Sequence, residues 1–190
     1  FVGVNNSAVA FADIDGDGDQ DVLVSGRSAV GNFTELFLNG GSGNFTAVKG
    51  NTLVGYQHGR FGIGDLNRDG YPDVLYLGRG GAPSFSLVAE LYANDGQAFF
   101  SPTSLSSSIT FISTPQSIRF ADVDQDHDLD VLVTGWDAAN VVSAELYANE
   151  GNGNLSMTSQ NNLANMADGI LEDTDSDGDQ DLLLWGHDSD

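Results

Sequence analysis

The sequence predicts an all-β array of propeller-type blades, and three observations carry that prediction. An acidic nonapeptide recurs four times, beginning at Asp13, Asp65, Asp122 and Asp173, with spacings of 52, 57 and 51 residues. A steady period of this length marks a repeat architecture before any single element is assigned. Each nonapeptide is followed by a run that is apolar at consecutive positions: Val22-Leu23-Val24, Val74-Leu75-Tyr76-Leu77, Val131-Leu132-Val133 and Leu182-Leu183-Leu184-Trp185. These runs are too short for helices and do not alternate, so they read as strands covered on both faces. Third, no stretch has helical periodicity. Four short strands every ~50 residues, with a two-sided buried face, are what a propeller blade requires, because each sheet packs on its neighbours around an axis.

Within a repeat the elements follow in a fixed order. The first strand is Val9-Ala10-Phe11-Ala12, Arg60-Phe61-Gly62-Ile63-Gly64, Ile118-Arg119-Phe120-Ala121 or Gly169-Ile170-Leu171-Glu172, and the acidic loop joins it to the second. The second strand meets a glycine: Gly26, Gly78, Gly135 or Gly186. A third strand follows in the first three repeats, Glu35-Leu36-Phe37-Leu38-Asn39, Glu90-Leu91-Tyr92-Ala93-Asn94 and Glu145-Leu146-Tyr147-Ala148-Asn149, each passing into a Gly/Asn/Asp turn. A fourth begins near Phe45, Phe99 or Leu155. The chain is expected to be a single repeat array over 1–190, with antiparallel four-stranded blades at 7–58, 59–115 and 116–166. An incomplete blade falls at 167–190, and residues 1–6 are the tail of a preceding one. About three and a half blades are fewer than the four to eight of a closed propeller. The expected whole is therefore a larger propeller or repeat array, or a chain whose open sheets are covered by a neighbouring copy.

The acidic loops have the chemistry of a cation site. Oxygen ligands at alternate positions, with a glycine where the backbone turns sharply, suit a hard ion that takes six to eight oxygens, which is Ca²⁺. In the first loop Asp13, Asp15 and Asp17 are expected to give side-chain oxygens, Asp19 its backbone carbonyl, and Asp21 the closing carboxylate. The same positions are Asp65, Asn67, Asp69, Tyr71 and Asp73 in the second loop, and Asp122, Asp124, Asp126, Asp128 and Asp130 in the third. The fourth supplies Asp173, Asp175, Asp177, Asp179 and Asp181. Asp19, Tyr71, Asp128 and Asp179 share no side-chain chemistry, as a backbone-carbonyl ligand predicts. An EF-hand is excluded, because it needs a bidentate Glu at position twelve, where this chain has Val24, Tyr76, Val133 and Leu184. A single such motif could be a solvated turn; four in phase argue for four Ca²⁺ ions. His127 replaces the turn glycine of the third loop and must adopt a left-handed conformation, and Asn67 lowers the charge of the second. These two sites are expected to be weaker.

Composition narrows the partners. The 28 acids and six bases give a formal charge of −22, and 15 of the acids are the ligand carboxylates just named. Such a surface repels nucleic acid and anionic membranes, and no apolar run long enough to insert into a membrane occurs. There is no cysteine, hence no disulfide frame or thiolate chemistry. Carboxylate-dense loops not built as cytosolic sensors suit compartments where calcium is millimolar, which places the chain outside the cell.

The run Phe11-Ala12-Asp13-Ile14-Asp15-Gly16-Asp17-Gly18-Asp19-Gln20-Asp21, with Glu35-Leu36-Phe37-Leu38-Asn39 and Gly43-Asn44-Phe45 after it, resembles a VCBS or FG-GAP-type repeat, the blade of integrin-α-like propellers. The resemblance covers nearly the whole chain. It implies an extracellular or cell-surface β-propeller, often of seven blades, with a calcium loop between strands one and two. Two departures stand out: His127 where the family has glycine, and a fourth copy that stops after its second strand.

Little else carries chemistry. His58, His127 and His187 are 60 or more residues apart and form no metal pair. His187 reads as a surface residue beside Asp188 and Asp190. Ser104 and Ser106-Ser107-Ser108 lie in no nucleophile elbow. Glu35, Glu90 and Glu145 recur once per repeat, and an active site needs to occur only once, so their role is structural and the chain is expected not to be an enzyme. Trp136 and Trp185 flank the strand-end glycines and could pack or stack on sugars, where the first two repeats have Arg27 and Arg79. Asn5, Asn32, Asn44 and Asn154 begin Asn-x-Ser/Thr sequons and are candidate glycan attachment points. The expected function is extracellular adhesion, surface or matrix structure, or a fibre, with glycans or surface proteins as partners. The alternatives are a lectin-like propeller and an accessory module of a secreted polysaccharide-acting enzyme.

Overall fold

A computed structural model describes residues 3–79, 87–103, 109, 114–136, 141–158, 163–164, 166–176 and 180–186. Among them there are fifteen strands and no helix. Every strand pair is antiparallel, and the order within each sheet follows the chain. Asp177, Asp179, His187, Ser104 and Ser106 to Ser108 lie outside the described residues.

The chain divides into two compact units, Phe1–Asp65 with Asp69–Ser104, and Leu66–Arg68 with Leu105–Asp190. The first unit holds two four-stranded sheets. One is β1 (Asn5–Ala12), β2 (Asp21–Ser28), β3 (Gly31–Asn39) and β4 (Phe45–Ala47); the other is β5 (Gln57–Gly64), β6 (Asp73–Arg79), β7 (Leu87–Asn94) and β8 (Phe100–Thr103). As the consecutive apolar runs predict, β2 and β6 are buried on both faces from Asp21 to Gly26 and from Asp73 to Gly78. The register explains the two faces. Val22 lies between Phe11 and Phe37, while its neighbour Leu23 lies between Ala10 and Leu36 on the opposite side. Leu23, Leu36 and Ile14 join Val74, Tyr76, Tyr92 and Phe100 in one core, and Val22, Val24 and Phe37 form a smaller one.

Aromatic packing in the larger core depends on missing side chains. Tyr76 stacks on Tyr56 with ring centroids 5.1 Å apart and tilts against Phe61 at 4.9 Å. A Cβ at Gly59 or Gly78 would collide with the Tyr76 ring. His58 sits beside this contact with φ 55°, in a bulge between Gln57 and Arg60, just as Asn6 has φ 50° in the bulge of β1. Its place is thus set by the strand irregularity.

The second unit contains β9 (Thr114–Ala121), β10 (Asp130–Trp136), β11 (Val142–Asn149) and β12 (Leu155–Met157), with β13 (Leu163–Ala164) as a further partner of β11. This sheet has five strands where the repeat predicts four. Its β10 is again covered on both faces through Gly135. The unit ends in the hairpin β14 (Met166–Glu172) and β15 (Asp181–Gly186). Here the expectation of two-sided cover fails: Leu183 and Trp185 stay 51% and 47% exposed, since β15 has only β14 beside it among the described residues.

Candidate metal centre

Each acidic loop is a backbone turn organised around its own first and ninth carboxylates. In the first, Asp13 accepts the amides of Gly16 at 2.9 Å and Gly18 at 3.0 Å. Asp15 accepts the amide of Asp17 at 3.3 Å, and Asp17 that of Asp19 at 2.9 Å. The other loops repeat the pattern: Asp65 takes the amides of Asp69 and Gly70, Asp122 that of His127 at 3.0 Å, and Asp126 that of Asp128 at 2.9 Å. In each of the first three loops two residues have positive φ. At position six these are Gly18, Gly70 and His127, the last with φ 72° as its sequence position required. Position four is the surprise, since Gly16, Arg68, Gln125 and Ser176 all have φ between 61° and 76°. Only Gly16 announces this in the sequence.

The turns bring carboxylates together. Oxygens of Asp13, Asp15 and Asp17 lie within 4.8 Å of one another, as do those of Asp122, Asp124 and Asp130, and of Asp173, Asp175 and Asp181. At such separations two unit charges repel by between about 1 kcal/mol in bulk-like water and about 4 kcal/mol at an effective dielectric near 20. Burial and mutual repulsion raise the pKa of Asp15, the desolvation being the larger cause and Asp21 the next. In the third loop Asp122 Oδ1 is buried without a hydrogen-bond partner. An oxygen-only donor set with an orphaned carboxylate oxygen fits a hard divalent cation, so these clusters could hold metal ions. Around the second loop no three carboxylates gather in this way among the described residues, because Asn67 holds the third position between Asp65 and Asp69.

The ninth residue does more than the sequence suggests. Asp21, Asp73 and Asp130 are fully buried. Asp21 accepts the Ile14 amide at 2.8 Å on one oxygen and the Asn39 amide at 2.8 Å on the other. Asp130 takes Val123 and Asn149 in the same way, both at 2.9 Å, and Asp73 takes Asn94 at 3.0 Å. Burial pushes the Asp130 carboxyl up while these two amides pull it down. Although both ninth residues hold the same pair of amides, the gathered trio of the first loop is Asp13, Asp15 and Asp17, whereas that of the third includes Asp130.

The seventh side chains, unrelated in kind, share a place. A Cβ added to Gly41, Gly96 or Gly151, in the turn after the third strand, would collide with Asp19, Tyr71 or Asp128 respectively. Asp128 also lies 3.0 Å from Arg68 Nε, an ion-pair distance without hydrogen-bond alignment. His127 Nδ1 lies 3.6 Å from Asp122 Oδ2.

The remaining candidates are dispersed. Glu90 accepts the hydroxyls of Tyr56, at 2.7 Å, and Tyr92; Glu145 accepts that of Tyr147; and Glu35 pairs with Lys49. Burial raises Glu145 and, with the Glu90 carboxylate, drives Tyr56 and Tyr92 well above the ordinary phenol range; Tyr76 is pushed up to about 12 by burial. Trp136, the last residue of β10, and Trp185, next to last in β15, are half-exposed. Asn5, Asn32 and Asn44 are exposed and Asn154 is half-buried.

Comparison with known proteins agrees with this geometry. No curated protein matches the chain. The model of the FG-GAP-like repeat matches residues 13–76 and again 65–133, the two matches together reaching from the first acidic loop through the second strand of the third repeat. With most of its length accounted for in this way, the chain belongs to the FG-GAP-like repeat family.

Proposed function

We propose that this chain is a calcium-stabilised, non-catalytic extracellular repeat module that serves adhesion, surface or matrix architecture, its sheets arranged as blades of a propeller. The observation that carries the reading is the gathering of three carboxylates in three loops of a single repeating type. FG-GAP repeats usually occur in extracellular proteins and are typically non-catalytic structural modules. No helix among the described residues is long and apolar enough to cross a membrane. Calcium would be held by the carboxylates of positions one, three, five and nine and the carbonyl of position seven, one ion per loop and four in all. It would cancel the repulsion that each empty loop carries. The exposed apolar faces, Val9 and Phe11 on β1 and Leu183 and Trp185 on β15, would be covered by further blades or by a neighbouring copy.

The test is elemental analysis of the purified chain together with its thermal melt. Close to four calcium ions per chain and a melt lowered by chelator are expected. Calcium-free protein that melts at the same temperature in chelator overturns the reading. A lectin-like role is the second reading, favoured by the half-exposed Trp136 and Trp185 near the ends of β10 and β15. Glycan-array binding lost in Trp136→Ala would move the choice to it.

A further inference from the structure

We propose that Asn94 makes the first and second loops bind cations cooperatively, an inference that rests on the calcium reading above. The first unit contains an unbroken line of buried hydrogen bonds from one loop to the next. Ile14 sits between Asp13 and Asp15, the first two ligands of its loop. Its amide is fixed on Asp21 Oδ2 at 2.8 Å, and its carbonyl accepts Asn94 Nδ2 at 2.9 Å. Asn94, the last residue of β7 and only 2% exposed, also donates Nδ2 to Pro72 O at 3.2 Å and its own amide to Asp73 Oδ1 at 3.0 Å. One residue thus touches the opening of the first loop and the closing end of the second.

The joints at Ile14 and Asp73 are out of water, and the one at Pro72 is half-buried. Ile14, Asp73 and Asn94 are all buried, so a displaced carbonyl or amide finds no solvent to replace its partner. A cation that draws Asp13 and Asp15 inward sets the position of the Ile14 carbonyl between them. That carbonyl holds the Asn94 side-chain amide, which also donates to the Pro72 carbonyl, while the backbone amide of the same residue holds the Asp73 carboxylate of the second loop. Linkage requires the influence to run equally in the other direction. The second unit repeats the device: Asn149 Nδ2 donates to Leu66 O at 2.8 Å and Leu129 O at 3.2 Å, with its amide on Asp130.

Tyr71 is the one tyrosine within the four acidic loops, so terbium bound in the second loop in place of calcium would be sensitised by it, and the part of the emission that Tyr71→Phe removes reports that loop. Asp15→Asn, a change confined to the first loop, should weaken tyrosine-sensitised terbium binding about fivefold, at the low end of couplings between sites. In Asn94→Ala the same first-loop change should leave terbium affinity unaltered. Asn94→Asp is the second background, because it keeps the backbone amide and a side-chain acceptor but loses the donor to Ile14; circular dichroism shows that each variant is folded. Long-range electrostatics from the lost charge would survive the Asn94 substitutions, and its survival overturns the proposal. So does a parent chain whose second loop ignores Asp15→Asn. A parent chain that binds no calcium by elemental analysis overturns the calcium reading itself, and the coupling with it; a parent that binds calcium but gives no second-loop terbium emission overturns the coupling alone.

Discussion

The loop of the first sheet and the loop of the β14–β15 hairpin are nearly the same peptide in different surroundings. Asp13 to Asp21 and Asp173 to Asp181 differ only at the second and fourth positions, Ile14 against Thr174 and Gly16 against Ser176. Ser176 nevertheless takes the left-handed conformation of Gly16. Their ninth residues part company. Asp21 is fully buried and gives one oxygen to Ile14 and the other to Asn39, at the end of β3. Asp181 is only half-buried, and one of its oxygens receives both the amide, at 3.0 Å, and the hydroxyl of Thr174. Those two donors hold its carboxyl below the usual range, whereas burial raises Asp130 at the same position of the third loop. The nonapeptide therefore encodes its own turn, and the third strand encodes the burial of its last carboxylate.

Calcium removal should separate the two regions most. With free ion at about 100 times the dissociation constant, each independent site adds about 2.7 kcal/mol, so chelation removes an amount comparable with the whole stability of a small domain. If the third strand matters as argued, amide exchange in chelator should accelerate first at Leu182 to Leu184 and later at Val22 to Val24. Simultaneous loss in both would mean that the loop alone sets the stability of its hairpin.

Next in size is the ninth carboxylate itself. Asp21→Ala strands the buried Ile14 amide and the half-buried Asn39 amide, and should cost roughly 2–5 kcal/mol in urea unfolding. Asp181→Ala, whose partners face water, should shift the midpoint by far less. Equal losses would break the distinction.

Tyrosine ionisation reaches both cores. Tyr56, Tyr76 and Tyr92 in the first unit and Tyr147 in the second each have a pKa raised above 10.0. The unfolded chain ionises first, so their contribution is complete below pH 10 and is lost as pH rises beyond it. With Tyr76 at about 12, that residue alone accounts for about 1 kcal/mol by pH 11. Urea midpoints at pH 9 and 11, with Tyr76→Phe as the control, check the size and the sign.

The smallest effects compare position six. Gly18→Ala, at φ 93° with open space around the new methyl, should lose about 1 kcal/mol through backbone strain alone. His127→Gly relieves that strain in the third loop and should gain up to about 1 kcal/mol. Calorimetric melting of both variants tests whether the two loops obey one backbone rule.

Much of this was legible in residues taken alone. The period from Asp13 to Asp173 located every sheet, and Val22-Leu23-Val24 marked a strand with two covered faces, because consecutive apolar residues must point to opposite sides. Carboxylates at alternate positions foretold the clusters, and His127 foretold its own positive φ. Other features had no local signature. Arg68, Gln125 and Ser176 give no hint of a left-handed turn, which the shared loop geometry imposes on them. The Asn ending each Glu-Leu-aromatic-x-Asn strand recurs visibly, yet its partners lie up to 83 residues away in sequence.

What the sequence determined by itself is local and periodic: strand, turn, loop and the chemistry of the loop's oxygens, all set by neighbours within one repeat. Only the tertiary structure decided which of those oxygens face solvent and which are consumed. Asp21 and Asp181 carry the same side chain at the same place in the motif, but among the described residues the first meets the amide of a third strand and the second does not. Burial and hydrogen-bond saturation depend on residues distant along the chain, and a motif read along the chain carries no record of them.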